Sequence, residues 1–291
     1  MDREQFDAET RCHQVKFLVA AWHCCAVNQK NPMFTIIVPT HERPLLLLRT
    51  LQSLIQQTYQ DFQVVIVSDS SSHLPPYQEL LALQGRYMYL LRSGMPGPAE
   101  SRNLGVTLAH TPYVLFLDDD DIFEPDHLAS LAAHIGLTRP ALLFSDFQIR
   151  YEDRATFPPQ TLSTETHSIA DVDVASVFVR NRIPNSCLVY RRDLLADIRH
   201  PTDMRIYEDW DFLLTCLPGQ TLTHVPVNSV VIHKTPATAP ENMRRGNTRD
   251  DLIVATTLEL YKKHAAPDMA TRLARQALLA GVGMEMGLEN F

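Results

Sequence analysis

Short apolar runs alternate with stretches whose apolar residues recur at helical spacing through the first half of the chain. The run FTIIVP at 34–39 is rich in β-branched residues and is closed by a proline, which predicts a buried strand. The segment 44–57 then begins with Pro44 and repeats its leucines three and four residues apart, which predicts a helix. The same patterns predict strands at 62–69, 87–91, 113–118 and 141–147 and helices near 76–84, 97–110 and 125–135.

Strands that alternate with helices in this way predict an α/β fold with a Rossmann-like, mostly parallel sheet that is flanked by helices. The second half of the chain is less regular. It contains a strand that enters a helix at 187–195, a helix at 207–217, strand material at 222–235, and helices near 249–265 and 268–287 that form a C-terminal helical region.

No linker separates these parts, so we expect one continuous domain. The patterned sequence begins only at Met33, and residues 1–32 therefore read as an N-terminal appendage that is disordered or helical. We expect the main domain to span 33–235. Residues 236–291 are expected to form a flexible loop and C-terminal helices packed on that same domain.

Polar residues follow three of the predicted strands at the points where these strands end. Residues 40–43 follow the first strand, Asp69 closes the second, and four consecutive aspartates, Asp118 to Asp121, close the fourth. Ligands of open parallel sheets bind outside the carboxyl ends of the strands, so we expect a binding site at this edge.

The aspartate run is the first candidate for chemistry. In an extended segment Asp118 and Asp120 would point to one side and Asp119 and Asp121 to the other. Carboxylates this close raise one another's pKa unless a cation offsets them, and Mg²⁺ or Mn²⁺ suits such oxygen ligands. The alternative is a loop that ends the strand and caps the next helix.

Two further features have a ligand interpretation and a plainer one. Asp69, at the end of a parallel strand, can accept hydrogen bonds from a ribose or a base, or it can form an Asx turn. Arg102 and Asn103 enter a helix after a loop rich in glycine and proline. They can hold a phosphate there, or they can belong to a solvated helix face.

Two more candidates lie in the second half. Glu208 and Asp209, flanked by aromatic residues, resemble a carboxylate held among apolar groups as a general base. Acidic residues also simply favour the first turn of a helix. His233 follows an apolar run and is either a metal ligand or a structural histidine.

Composition narrows the class of protein and its partners. A net charge of −8 argues against binding to nucleic acid, which needs clustered basic residues. Five cysteines without a CxxC pair favour a reduced, cytoplasmic setting, and the acidic start lacks the basic region of a secretory signal. Residues 269–286 form a candidate amphipathic helix, which suggests either peripheral attachment to a membrane or core packing.

Four blocks together resemble the family 2 glycosyltransferases in order and spacing. They are the stretch from 34 to 71, GPAESRNLGV, YVLFLDDDDIFEPDHL and YEDWDF, and the resemblance covers roughly residues 33–235. It implies the GT-A fold, a nucleotide-diphospho-sugar donor such as a UDP-sugar, a divalent Mn²⁺ or Mg²⁺, and inversion at the anomeric carbon. The implied acceptor is a hydroxyl of a saccharide or lipid-linked saccharide in cell-surface polysaccharide or glycan synthesis.

The resemblance also implies roles for single residues. Asp118 and Asp120 match the family's DxD motif, with Asp118 near the ribose and Asp120 on the metal, and Asp209 matches the expected catalytic base. The remaining matched residues are implied to contact the nucleotide or the metal. They are Asp69 at the base, Pro39, Thr40 and Glu42 along the nucleotide pocket, Arg102 and Asn103 near the base and diphosphate, and His233 at the metal or diphosphate.

Two departures from the family pattern affect the nucleotide side. The first loop reads THERP where the family more often has an asparagine, and the second strand ends in SDSS where DDGS is commoner. Two other functions compete with the transferase. A sugar-phosphate nucleotidyltransferase would carry a glycine-rich loop after the first strand, which PTHERP lacks, and an inactive nucleotide-sugar-binding module would have a damaged DxD or ED pair.

Overall fold

The computed structural model describes residues 32–236 and 250–291. Within these residues the chain forms nine strands: β1 (Phe34–Thr40), β2 (Phe62–Ser68), β3 (Tyr87–Leu91), β4 (Tyr113–Phe116), β5 (Ile122–Phe123), β6 (Leu142–Asp153), β7 (Gln160–His167), β8 (Leu188–Arg191) and β9 (Leu222–Lys234). The predicted appendage at 1–32 and the loop predicted from 236 lie almost wholly outside the described residues.

Eight α-helices accompany the strands in the described part of the chain. They are α1 (Pro44–Ile55), α2 (Tyr77–Ala82), α3 (Pro98–Leu108), α4 (His127–Thr138), α5 (Val174–Val177), α6 (Glu208–Cys216), α7 (Asp250–Lys263) and α8 (Met269–Ala280). The α/β class predicted from the sequence is thereby confirmed, and α8 ends earlier than the predicted residue 287.

The strands form one sheet in the order β3-β2-β1-β4-β8-β6-β9-β5, with β7 paired to the second half of β6. The strands β3, β2, β1 and β4 are parallel, as the alternating pattern predicts. Antiparallel pairing begins at β8 and returns at β5 and β7. The mostly parallel arrangement of the first half is what aligns the polar ends of β1, β2 and β4 at one edge.

The first half of the sheet is buried on both faces. Every residue of β1 is buried, which explains its continuous apolar run without polar alternation. Helix α3 packs against β1 and β2 through Gly105, where an added Cβ would overlap the side chain of Ile37. The close approach of helix and sheet at this point therefore requires glycine.

The C-terminal helices contact the body of the fold through charged groups. Lys263 Nζ donates to the carboxylate of the buried Asp211 in α6 at 2.7 Å, and His264 Nε2 lies 2.8 Å from the same carboxylate. Arg275 in α8 is fully buried, donates to the carbonyl oxygen of Phe178 at 2.8 Å, and stacks its guanidinium on Tyr261. Asp211 is thus paired with a charged partner, whereas the buried guanidinium of Arg275 is satisfied by carbonyl oxygens and by the Tyr261 ring.

No helix in the two described ranges is long and apolar enough to cross a membrane.

Candidate active site

A cavity of about 940 Å³ opens at the carboxyl ends of β1, β2 and β4. The first turns of α3 and α6 border it, and residues of β6 and β9 form its far wall. Of the predicted site residues, seven line this cavity: Pro39, Thr40, Asp69, Arg102, Asp118, Asp120 and Asp209. The edge of the sheet that the sequence singled out thus brings most of the candidate residues together.

The four aspartates form a turn, which corrects the extended geometry expected from the sequence. The amide of Asp121 donates to the carbonyl oxygen of Asp118 at 3.1 Å and closes the turn. Asp118, Asp119 and Asp120 all line the cavity, whereas Asp121 does not. Because a turn does not alternate its side chains as a strand does, the expected division into two pairs is wrong.

Asp119 and Asp120 are buried and paired. Thr40 Oγ1 donates to Asp119 at 2.8 Å, and Arg43 Nη1 lies 3.1 Å from Asp119 and 3.4 Å from Asp120. Arg154 lies 3.5 Å from Asp120. Burial raises the pKa of Asp119 to about 6, and Arg43 opposes that shift. Asp119 thus ties the aspartate turn to the end of β1.

Asp121 has a structural role. Its two carboxylate oxygens accept hydrogen bonds from Ser186 Oγ at 3.0 Å and from the backbone amide of His233 at 3.1 Å. Burial, with Asp120 and Asp118 nearby, raises its pKa well above the usual range. The carboxylate therefore joins the aspartate turn to β9 beneath the cavity.

Arg102 links the two acidic groups of the cavity. Its buried guanidinium donates to Asp118 at 2.7 Å and to Glu208 at 2.9 Å. Burial alone would lower its pKa, but Asp118 and Glu208 raise it well above its ordinary value. Arg102 therefore stays charged and fixes the start of α6 relative to the aspartate turn.

Asp209 lies in the first turn of α6 and faces the cavity. Its Oδ1 accepts the backbone amide of Trp210 at 2.8 Å, and the Trp210 indole is held in turn by the carbonyl oxygen of Val177. Burial, together with Glu208, raises the pKa of Asp209 to about 6, against the opposing charge of Arg102. A fixed carboxylate with this pKa is suited to accept a proton near neutral pH.

Asp69 is bound on several sides by the protein. Its Oδ1 lies 2.6 Å from His41 Nδ1, and its Oδ2 accepts the amide of Gly97 at 2.7 Å and Arg92 Nη2 at 3.2 Å. The Asp69 side chain is only 3% exposed, while that of His41 is 49% exposed. Both residues line the cavity, but His41 is the more accessible of the two.

Two predicted nucleotide-contacting residues do not line the cavity. Asn103 uses its amide oxygen and nitrogen to bond the backbone of His200, each at 2.8 Å. Glu42 has a left-handed φ of 50° and accepts hydrogen bonds from Ser70 and Ser72. Both side chains therefore support neighbouring loops.

His233 also lies outside the cavity lining, although Ile232 and Lys234 beside it belong to that lining. Successive side chains of a strand point to opposite faces, so His233 points away from the ligand space. Its ring is buried, its Nδ1 has no hydrogen-bond partner among the described residues, and burial lowers its pKa to about 4. A structural role fits this position better than the predicted contact with a metal.

The described residues contain no group of three or more acidic, histidine or cysteine side chains arranged to hold a metal ion. Asp118 and Asp120 nevertheless both line the cavity, and Asp118 is 40% exposed. Mg²⁺ and Mn²⁺ commonly bind through one or two carboxylates together with substrate phosphates. The residues present therefore fit a cation that a diphosphate would help to hold.

Several cavity residues had no individual role predicted from the sequence. His41 and Arg43 lie within the first polar block and could have been found from it, whereas Arg182, Arg205 and Lys234 lie outside any motif. Arg205 and Lys234 add positive charge to the cavity on the side of the second half of the chain, whereas Arg182 is paired with Asp171 at 2.8 Å.

Comparison with known proteins identifies the family. The model of the glycosyl transferase family 2 matches residues 35–199. A PGL/p-HBAD biosynthesis glycosyltransferase of Mycobacterium bovis is 30% identical over 68% of this chain and 76% of that protein. An Escherichia coli K12 protein assigned to colanic acid biosynthesis is 25% identical over 64% of this chain and 66% of its own. The chain belongs to the family 2 glycosyl transferases.

Solved structures support the GT-A type of fold. Staphylococcus aureus TarS 1–349 in complex with UDP-GlcNAc has a TM-score of 0.60 at 19% identity, over 85% of this chain and 71% of that one. The mannosyltransferase PcManGT of Pyrobaculum calidifontis, in complex with GDP-Man and Mn²⁺, has a TM-score of 0.56 at 16% identity, over 93% and 80%. At such identities the likeness concerns the fold alone, and it confirms the fold predicted from the sequence.

Proposed function

We propose that this protein transfers a sugar from a nucleotide-diphospho-sugar, a UDP-sugar in the first instance, to an acceptor hydroxyl with inversion at the anomeric carbon. The observation that carries the proposal is Asp209. It faces the cavity from the start of α6, has a pKa of about 6, and is linked through Glu208 and Arg102 to the aspartate turn. One positioned base beside a donor site is what an inverting transfer needs.

The donor is proposed to lie over the ends of β1, β2 and β4. Pro39, Thr40 and Asp69 border its nucleoside, and Asp118 lies near the ribose, consistent with their positions in the cavity. Asn103 and Glu42 support this region from outside the lining, Asn103 by holding the backbone of His200. UDP-GlcNAc and GDP-Man in the two structural neighbours support a nucleotide-sugar donor.

A divalent Mn²⁺ or Mg²⁺ is proposed to be held by Asp120 and Asp118 together with the diphosphate. His233 is left out of this set because its neighbours, and not its own ring, line the cavity. When bound, the cation would offset the negative charge of the departing nucleoside diphosphate. The Mn²⁺ in the structure of PcManGT is consistent with such a site.

In the proposed reaction the protein holds the donor and the acceptor in position and supplies one proton acceptor. Asp209 takes the proton of the acceptor hydroxyl as that oxygen attacks C1 of the sugar, and the bond from C1 to the diphosphate oxygen breaks. Attack from the face opposite the diphosphate inverts C1 without a covalent enzyme intermediate. Arg102 holds α6 and the aspartate turn together, so that base and donor keep their spacing during the reaction.

The acceptor is proposed to be a saccharide or lipid-linked saccharide of cell-surface polysaccharide or glycan synthesis. The far wall of the cavity combines the apolar Phe147, Ile149 and Ile232 with Lys234, which suits a sugar ring with an attached apolar or anionic group. Biosynthetic roles named for the relatives point the same way. A cytoplasmic location, with or without peripheral attachment to a membrane, belongs to the proposal.

A donor screen tests the function. The purified protein is incubated with UDP-, GDP- and dTDP-sugars and Mn²⁺ or Mg²⁺, and released nucleoside diphosphate is measured with and without EDTA. We expect release from at least one donor and its loss in EDTA. Donor binding without release from any sugar would favour the inactive binding module, and release of pyrophosphate from a nucleoside triphosphate and a sugar phosphate would favour a nucleotidyltransferase. Full activity in EDTA would refute the metal proposal.

A further inference from the structure

The basic side chains of the cavity divide into those that the protein pairs with an acid and those that it does not. Three arginines have carboxylate partners: Arg43 with Asp119, Arg102 with Asp118, and Arg182 with Asp171. Arg205 and Lys234 are exposed, and neither forms an ion pair or a side-chain hydrogen bond within residues 32–236 and 250–291. Their charges are therefore available to a ligand in the cavity.

The register of the sheet determines the direction of Lys234. Strand β9 pairs with β6 so that Ile232 lies opposite Ile149 and Lys234 lies opposite Tyr151. Alternate residues of a strand share a face, so Lys234 extends from the same face as Ile232, whose side chain lines the cavity. Lys234 thus directly follows the apolar wall that Phe147, Ile149 and Ile232 form.

Arg205 brings a second positive charge to the side of the proposed base. It lies four residues before Asp209, in the segment that enters α6, and Ile206 and Tyr207 between them also line the cavity. Its guanidinium presents a planar fork of donors that matches the two oxygens of a carboxylate or a phosphate. Since Asp209 is proposed to activate the acceptor hydroxyl, Arg205 lies on the acceptor side of the cavity.

Two cations without an acidic partner disfavour a neutral acceptor. Arg205 and Lys234 are exposed in the free protein, so water solvates both charges. A neutral acceptor that covered them would displace this water without supplying a counter-charge, and an unpaired charge removed from water is costly. An acceptor with a carboxylate or a phosphate would instead form charge-assisted hydrogen bonds, which are stronger than neutral ones.

We propose that Arg205 and Lys234 form a subsite for an oxyanion of the acceptor, which therefore carries a carboxylate or a phosphate group. This inference rests on the proposed function, because it concerns the acceptor of that reaction. It selects the anionic substituent over the purely apolar one for the far wall of the cavity. The donor diphosphate is the competing anion, because the backbone amide of His233, next to Lys234, donates to Asp121 of the aspartate turn at 3.1 Å.

Equilibrium binding of two matched pairs of aryl compounds tests the proposal without turnover. Phenyl β-glucuronide is compared with phenyl β-glucoside, which has CH₂OH in place of the carboxylate, and phenyl phosphate is compared with phenol. Each compound is titrated into the intact protein with and without saturating UDP, and binding is followed by NMR of the compound. We expect at least one anionic probe to bind about tenfold more tightly than its neutral counterpart in the presence of UDP, as one charge-assisted hydrogen bond produces. Added salt should reduce this preference.

The two pairs also distinguish the sources of the anion. A preference confined to the glucuronide supports an acidic sugar as the acceptor. A preference confined to phenyl phosphate supports an acceptor whose phosphate is joined to an apolar group.

Variants assign the preference to the two side chains. Arg205→Gln and Lys234→Gln keep an extended polar side chain but remove its charge, and each should reduce the preference by about threefold or more. Arg182→Gln is the matched control, because Arg182 lines the same cavity but is paired with Asp171, and it should leave the preference intact. All three variants should bind UDP as the wild-type protein does, because the bound anion belongs to the acceptor.

The outcomes separate this inference from the function on which it rests. A wild-type protein that binds neither anionic probe more tightly than its neutral counterpart would overturn the inference and leave the donor site standing. Weaker UDP binding by Arg205→Gln or Lys234→Gln, with an unchanged probe preference, would assign the charge to the donor diphosphate and overturn it equally. An equal loss in Arg182→Gln would show that the unpaired cations are not the cause. Failure of UDP and every other nucleoside diphosphate to bind would refute the proposed function, whereas the preference measured without UDP would still decide whether Arg205 and Lys234 bind an oxyanion.

Discussion

Replacing Asp209 by asparagine should stabilise the folded protein above pH 6 while it removes the proposed base. Burial raises the pKa of Asp209 from 3.8 to about 6, so the folded state disfavours the ionised carboxylate. The shift is about 2 pH units, and one unit corresponds to about 1.4 kcal/mol, so ionised Asp209 costs the native state about 3 kcal/mol. The asparagine of the variant has no charge to desolvate, and its amide oxygen can still accept the Trp210 backbone amide.

The sign of the effect fixes its dependence on pH. Because the pKa of Asp209 is higher in the folded state than in the unfolded state, Asp209 does not affect the free energy of unfolding below about pH 3.8. Between about pH 3.8 and 6 it lowers that free energy progressively, and above pH 6 the full loss is present. Urea unfolding at several pH values should therefore show Asp209→Asn more stable by about 3 kcal/mol at pH 7.5 and by about half of that at pH 5. Asp203→Asn, at an exposed aspartate outside the cavity, is the control. An Asp209→Asn protein no more stable than wild type at pH 7.5 would refute the reasoning.

Three further outcomes follow from single contacts. The kcat/KM of transfer should rise with pH through about 6, because Asp209 must be ionised to act as base, and a flat profile from pH 5 to 8 would speak against that role. Arg102→Met should lower the unfolding free energy by about 3 kcal/mol, because it breaks a buried ion pair. This value is at the low end for such a pair because Asp118 is 40% exposed. A loss under about 1 kcal/mol in urea titration would contradict this. Gly105→Val should lower the unfolding free energy by about 1–3 kcal/mol, because the added side chain overlaps Ile37. Gly136→Ala is the control and should not destabilise the protein, because an added Cβ there meets nothing within 4 Å. Equal shifts of the melting temperature in the two variants would argue against the close packing at Gly105.

The sequence could predict that the site residues lie close together, because parallel strands end at the same edge of a sheet. Thr40, Asp69 and Asp118 end three strands that run side by side in the same direction, so their convergence needs only the strand order. The strand β7 could not be predicted in this way. Its residues QTLSTETH are polar apart from Leu162 and almost all exposed, so they show no apolar alternation, and only pairing with β6 makes them a strand.

Some adjacent residues lie in different environments, and the sequence patterns could not predict which of them faces the cavity. Arg102 and Asn103 are neighbours in α3, but successive residues of a helix point about 100° apart, so one faces the cavity and the other holds the segment at His200. His233 lies outside the cavity lining because successive side chains of β9 point to opposite faces of the strand. Asp121 differs from Asp120 only through the turn, which a run of identical residues does not reveal.

The most direct test of the proposed function combines donor binding and turnover in Asp209→Asn. Donor affinity is measured by calorimetry for the wild-type and the variant protein. Hydrolysis of the donor, in which water takes the place of the acceptor hydroxyl, is followed as release of nucleoside diphosphate at saturating donor and metal. We expect unchanged donor affinity, because Asp209 serves the acceptor hydroxyl, and release slowed by about a hundredfold or more, as loss of a general base produces. Near-normal release by a variant that still binds the donor would show that Asp209 is not the base.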